Sequence, residues 1–288
     1  MDDLTTALLE WYDEHARELP WRGAAASAWS VLVSELMLQQ TPVARVRPVH
    51  EEWLRRWPAP ADLAAEAPGE AVRAWGRLGY PRRALRLHAA AAAIVDRHGG
   101  TVPSSYDDLL ALPGVGDYTA AAVATFAFGK RHVVLDTNVR RVLARVLGGE
   151  ELPAPSVTRP ERERAAAVLP DDEPTAATWS IALMELGALV CSARSPRCDV
   201  CPVSDSCAWR AAGYPAYDGP ARRGQPWDGT DRQCRGRLMA VLRDSDGPVH
   251  VSRLDAAWPS ADQRVRCLEG LLADGLVVRA GPETYSLP

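Results

Sequence analysis

Lysine is all but absent: Lys130 is the only one in 288 residues, and the other basic residues are arginine. Any chemistry that needs a lysine amine therefore has one candidate. No apolar run reaches the length of a membrane-spanning helix, and the first residues, MDDLTTALLEWYDEH, are charged and amphipathic rather than leader-like. A soluble, cytoplasmic protein is expected. Basic charge is also in deficit, with a net charge of −4. That excludes a protein that coats nucleic acid, while local arginine patches still suffice for a site-specific binder.

Cysteine is scarce but concentrated. Four of the six cysteines lie at Cys191, Cys198, Cys201 and Cys207, a C-x6-C-x2-C-x5-C loop. Four thiolates so close suit a tetrahedral zinc site or an iron–sulfur cluster, and spacing alone does not separate the two. Disulfide pairing is the alternative, and it fits poorly with an intracellular chain. Cys234 and Cys267 stand apart and read as isolated packing residues.

Taken in order, residues 4–17 carry helical apolar spacing and stop at Pro20. Between Arg22 and Arg45 the only charged residue is Glu35, on a helix that is apolar on nearly every face. Desolvation there raises a carboxyl pKa and keeps it protonated, the condition for a general acid. The competing reading is a core carboxylate held by neighbouring hydrogen bonds. Gln39, Gln40 and Thr41 form the polar end of that helix before Pro42 and are assigned to DNA contact. Short helices separated by proline and glycine fill 49–96, and Gly79-Tyr80-Pro81 sets an aromatic beside Arg82, Arg83 and Arg86. Such a group can stack on bases while arginines hold phosphates, or can simply be a helix start with a core tyrosine.

Two helical runs flank Leu112-Pro113-Gly114-Val115-Gly116, with Asp117 read as the N-cap of the second. A glycine hairpin that opens a helix presents backbone N–H groups to a phosphate, so Leu112, Gly114, Val115 and Gly116 are assigned to a DNA-backbone contact; the competing reading is a plain connection between two helices. Asp136 precedes a helix over 138–147 and reads as an N-cap. Arg140, Arg141 and Arg145 on that helix read as a solvated or phosphate-facing edge, and Arg194 and Arg197 in the cysteine loop as a phosphate clamp. Residues 214–233 form a Pro/Gly-rich linker, and 234–288 read as helix, short helix, helix and two strands, a winged-helix pattern.

The strings LPWR, SELMLQQT, LGY, LPGVGDYTAAAV, VLDTNVRRVLAR and MELGALVC, followed by the four-cysteine loop, together resemble the helix–hairpin–helix DNA glycosylases that carry an iron–sulfur cluster. Within them the resemblance is to the MutY-type adenine DNA glycosylases, and it covers about residues 4–215. It implies a mostly all-α, two-lobed fold: a core over 1–213, made of a six-helix lobe over about 22–133 and a cluster lobe of the N-terminal helix plus 134–213. It implies a [4Fe–4S] cluster on the four cysteines rather than zinc. The implied partner is double-stranded DNA with adenine opposite 8-oxoguanine or guanine, from which the base is flipped out and hydrolysed off, by a monomeric enzyme. By the same resemblance Glu35 matches the general acid, Asp136 the carboxylate that stabilises the oxocarbenium-like sugar, and Asn138 a pocket amide. Gln39 and Tyr80 match residues that wedge into the base stack, and Arg22 and Glu185 match contacts of the adenine pocket.

Tyr118 stands where strand-cutting relatives carry a lysine, so a monofunctional enzyme is implied, with Tyr118 positioning the sugar. The sequence departs from the family at Pro81, where a second tyrosine is usual, and at Ala28-Trp29 before the catalytic helix. The tail also reads as a winged helix rather than the family's NUDIX-like domain. Two rivals remain: a thymine–guanine mismatch glycosylase, and a non-catalytic iron–sulfur DNA-binding regulator.

Overall fold

The computed structural model describes residues 2–23, 25–219 and 227–288. Helices dominate it, and the described strands form one three-stranded sheet. The chain divides into two compact units that do not follow chain order. One comprises residues 1–32, 104–111 and 115–220, the other 33–103, 112–114 and 221–288. The expected linker at 214–233 includes residues 220–226, which lie outside the described residues.

The first unit contains α1 (Asp2–His15), α7 (Tyr106–Leu110), α8 (Asp117–Phe128), α9 (Thr137–Gly148), α10 (Arg159–Val168), α11 (Glu173–Leu189) and the short α12 (Ala208–Ala211); α1, α9, α10 and α11 share one core, and Ala121 and Ala122 of α8 pack with Val134 in a second. In the first of these, Leu8 and Trp11 of α1 meet Val139, Val142 and Val146 of α9 and Trp179, Leu183 and Leu186 of α11. Helix α11 is apolar on most faces, as a helix packed on several sides must be. Side-chain caps fix where the helices begin: Asp136 for α9, Thr158 with Glu161 as a capping box for α10, and Asp172 for α11. Helices α9 and α11 approach closely at Gly187, where an added Cβ would fall 2.6 Å from the Cβ of Asn138.

The second unit contains α3 (Val43–Arg56), α4 (Pro60–Ala64), α5 (Pro68–Trp75) and α6 (Arg82–His98). Trp53 packs edge-on against Trp57 and Trp75. The C-terminal residues of this unit run α13 (Asp231–Arg243), β1 (Val249–His250), α14 (Val251–Asp255), α15 (Ala261–Ala273), β2 (Val278–Gly281) and β3 (Thr284–Ser286). The antiparallel sheet has the order β1-β3-β2, with Tyr285 opposite both Val249 and Arg279. Sequence periodicity finds the helices and the final hairpin but not β1, which has two residues and no period to read. Cys234 and Cys267 are buried, as packing residues are, and burial, with the neighbouring Cys267 thiol adding to it, pushes Cys234 up to about 12. The tail is tied to α5, since Arg73 donates to the carbonyls of Arg243 and Ser245 and the Gly69 N–H donates to the carbonyl of Pro288.

Candidate active site and cysteine loop

Helix α2 (Ala28–Leu38) is buried continuously from Trp29 to Met37. Glu35 is the only ionisable side chain in that stretch and is 5 % exposed. Its helix neighbours Leu32, Val33, Ser34, Leu36 and Met37 are all buried as well.

The polar end of α2 is organised by a residue that local pattern misplaces. Arg83 is 6 % exposed rather than phosphate-facing. Its guanidinium donates to the carbonyls of Leu36, Met37, Gln39 and Gly79 and to the Thr41 hydroxyl. A cation set on the last carbonyls of a helix both satisfies orphan acceptors and complements the helix dipole. Burial lowers the Arg83 pKa to about 10, against a smaller opposing effect from Tyr80, so it stays charged at neutral pH. Gln40 and Tyr80 hold left-handed backbone conformations, with φ of 57° and 48°. Such strain in non-glycine residues persists only where surrounding contacts enforce it, and Arg83 supplies those contacts. Of the predicted DNA-facing residues here, Thr41 is buried, Gln39 half-buried, and Gln40 and Tyr80 exposed.

In the hairpin, Gly116 rather than Asp117 is the N-cap of α8. Asp117 is the first helical residue, where its carboxylate takes hydrogen bonds from the Tyr106 hydroxyl and from Arg162. Those two bonds hold Asp117 below the usual carboxylate range, and the bond to Asp117, with burial, pushes Tyr106 up to about 12 while Arg162 opposes the shift. Gly114 has φ of 78° and lies against the Arg86 side chain with no room for a Cβ. Leu112 and Val115 are buried, so their side chains pack while the glycines shape the turn. Tyr118 lies half-buried against Ala121, Ala122 and Val134. Lys130 follows α8, and its Nζ is 3.4 Å from the Ser104 hydroxyl.

Asp136 is the cap the sequence predicts, and more. One oxygen accepts the Val139 N–H at 2.6 Å and the other the Asn138 amide at 2.9 Å. Burial pushes its pKa above the ordinary value, and those two hydrogen bonds oppose the shift. Arg141 donates to the Asn138 side-chain oxygen, to the Gly187 carbonyl and to the Cys191 carbonyl, each within 2.8 Å. Arg145, 1 % exposed, donates to the Cys191 sulfur and the Ser192 carbonyl. Of the three arginines expected on a solvated edge, Arg141 and Arg145 are therefore buried links between α9 and the cysteine loop, and Arg140 pairs with Glu161. Glu185 is fully buried and accepts from Arg17 and from Arg22. Burial acts to raise its pKa, but the two guanidiniums outweigh it and hold the carboxylate low.

Cys191, Cys198, Cys201 and Cys207 line one cavity with Val142, Leu186, Val190 and Val203. Among the described residues no three ligand-type side chains meet closely enough to grip a single ion. Four sulfurs spread around a shared apolar cavity fit a group larger than one metal ion, and all four thiols are unpaired. Burial raises Cys191 and pushes Cys201 up to about 11, so metal binding must displace protons. Arg197 donates to the Leu189 carbonyl, and Arg194 is exposed.

A family model for HhH-GPD superfamily base excision DNA repair proteins matches residues 33–167, and one for the iron–sulfur binding domain of endonuclease III matches residues 191–207. An adenine DNA glycosylase of Mycobacterium tuberculosis is 54 % identical over 285 residues, which is 98 % of this chain and 93 % of that protein. The chain belongs to the adenine DNA glycosylases. The Homo sapiens member is 40 % identical over 71 % of this chain and 39 % of its own length, whereas the mycobacterial likeness includes the tail. A solved thermostable thymine-DNA glycosylase, 27 % identical with a TM-score of 0.65, covers 73 % of this chain and 98 % of its own. An endonuclease III–DNA complex at 23 % identity and a TM-score of 0.62 shares the fold.

Like the adenine DNA glycosylases it belongs to, the chain carries a [4Fe–4S] cluster, and the four cysteines are the residues that would hold it. Cys198→Ala is expected to remove the visible absorbance of the cluster and weaken DNA binding while the far-UV helical signal remains. Simultaneous loss of all three would make the cluster a folding element instead. Arg17, Arg83, Arg141 and Arg145 escape sequence reasoning. The only signal was position: Arg141 and Arg145 lie four apart among the buried valines of α9.

Proposed function

We propose that this adenine DNA glycosylase removes adenine mispaired with 8-oxoguanine or guanine, and that Glu35 is its general acid. The observation that carries the reading is a buried carboxyl, 5 % exposed, on a helix otherwise without ionisable side chains from Trp29 to Met37, in a chain 54 % identical to an adenine DNA glycosylase along nearly its whole length. As the bond from sugar C1′ to the base breaks, its electron pair leaves with adenine, and the Glu35 proton goes to the base. The Asp136 carboxylate balances the positive charge on the sugar. Water then adds at C1′, returns a proton, and leaves an abasic site. One carboxyl protonated and one ionised, each set by its surroundings, is the arrangement glycoside hydrolysis requires. Asn138 fixes the Asp136 carboxylate by its 2.9 Å hydrogen bond. Arg22 supports the pocket through Glu185, both of whose oxygens are already engaged by Arg17 and Arg22.

Tyr118 occupies the hairpin position of a lysine nucleophile, and Lys130 lies beyond the end of α8, which supports a monofunctional enzyme. Single-turnover base release on three otherwise identical duplexes tests the proposal: adenine opposite 8-oxoguanine, adenine opposite guanine, and thymine opposite guanine. Adenine release with strand breaks only after alkali is the expected result. Thymine release would move the activity to the mismatch branch. Borohydride-trapped strand scission would overturn monofunctionality.

A further inference from the structure

Tyr80 is half exposed at 50 % and held in a left-handed conformation. It does not stand alone. The Arg83 guanidinium lies 5.4 Å from its ring centre, and the Arg232 guanidinium, from the first turn of α13, lies 5.9 Å from it. Arg232 also lies 5.1 Å from the ring of Trp227, which is 48 % exposed. Two exposed aromatic faces joined by a guanidinium form the kind of set that stacks on bases and follows a phosphate backbone. The tail is seated firmly at this place. Arg82, two residues after Tyr80, bonds Asp274 at 3.0 Å, and Arg235, one turn after Arg232, bonds the other oxygen of the same carboxylate. Two arginines thus share one carboxylate beside Tyr80, and the adjacent Asp231 is engaged by Arg266 and Gln263.

We infer that the C-terminal segment is part of the DNA-binding face, with Arg232 holding a backbone phosphate where Tyr80 meets the base stack and Trp227 adding a second stacking surface. This rests on the reading of the chain as a mispair-specific glycosylase, and goes beyond it by giving the tail a role at the wedge.

The test uses the full chain carrying Glu35→Gln, so that binding is measured without turnover on a duplex holding adenine opposite guanine across a salt series. Adding Arg232→Gln is expected to weaken binding about tenfold and to reduce the slope of log K against log salt by about one. Adding Arg232→Lys restores the slope, and Trp227→Ala weakens binding about tenfold with the slope unchanged. An unaltered slope in Arg232→Gln, with its melting temperature preserved, would overturn the inference. So would a loss of affinity that Arg232→Lys fails to reverse. Should Arg232→Gln melt early, the Arg232→Lys and Trp227→Ala results decide the question. Base release by the unsubstituted chain is scored separately, so failure of the glycosylase reading and failure of this inference are distinguishable.

Discussion

Glu35→Gln is expected to bind an adenine mispair as tightly as the unsubstituted chain and to release adenine about a thousandfold more slowly, the middle of the range for loss of a general acid. Glutamine keeps the shape of the side chain and a donor, so the packing of Trp29–Met37 stays intact. It cannot give up a proton to the departing base. Glutamine is as polar as the protonated acid it replaces, so the melting temperature should stay close to that of the unsubstituted chain. Binding and single-turnover release measured on the same preparation separate the outcomes. A rate within tenfold of the original would leave Glu35 as a core carboxylate, and lost binding with a fallen melting temperature would make it a packing residue.

Asp136 caps α9, and a pair of substitutions can separate that role from the catalytic one proposed for it. Asparagine is as good an N-cap as aspartate, so Asp136→Asn should keep α9 capped, whereas Asp136→Ala loses the cap at a cost of about 1 kcal/mol. Both should slow adenine release by about a hundredfold or more, because neither can balance positive charge on the sugar. The pH dependence carries the same distinction. Burial holds the Asp136 pKa above its unfolded value, so the folded chain binds this proton more tightly than the unfolded chain does. Ionising it therefore lowers stability as pH rises from the ordinary carboxylate range through the raised folded value. The stability advantage of Asp136→Asn should be full at neutral pH and vanish below the unfolded pKa. The release rate of the unsubstituted chain should fall as pH drops through the raised value. Asp136→Asn with an undiminished rate would reduce Asp136 to a cap.

Much of this was legible because its causes are local. Glu35 announces itself by being the only charge between Arg22 and Arg45, and the Asp136 cap and the Thr158/Glu161 box are written within four residues of the turns they close. The cysteine loop carries its own spacing. The arginines were not legible in this way. Exposed arginines on helices are the rule, and what buries Arg83, Arg141 and Arg145 is a set of carbonyls some forty to fifty positions away in sequence. The hairpin erred by one residue, with Gly116 as cap in place of Asp117, because the partners of Asp117 come from Tyr106 and Arg162 rather than from its own helix. The roles of Asp136 and Tyr118 came from family likeness, since a cap and a half-buried tyrosine look ordinary by themselves.

The hydrogen bonds that run from the Cys191 carbonyl through Arg141 and Asn138 to the Asp136 carboxylate join the cysteine loop to the group proposed to steady the sugar. An enzyme that removes an intact base from DNA is a hazard if assembled imperfectly. With this wiring a shift of the cysteine loop is expected to reach the Asp136 carboxylate, so Cys198→Ala is expected to slow base release as well as to weaken DNA binding.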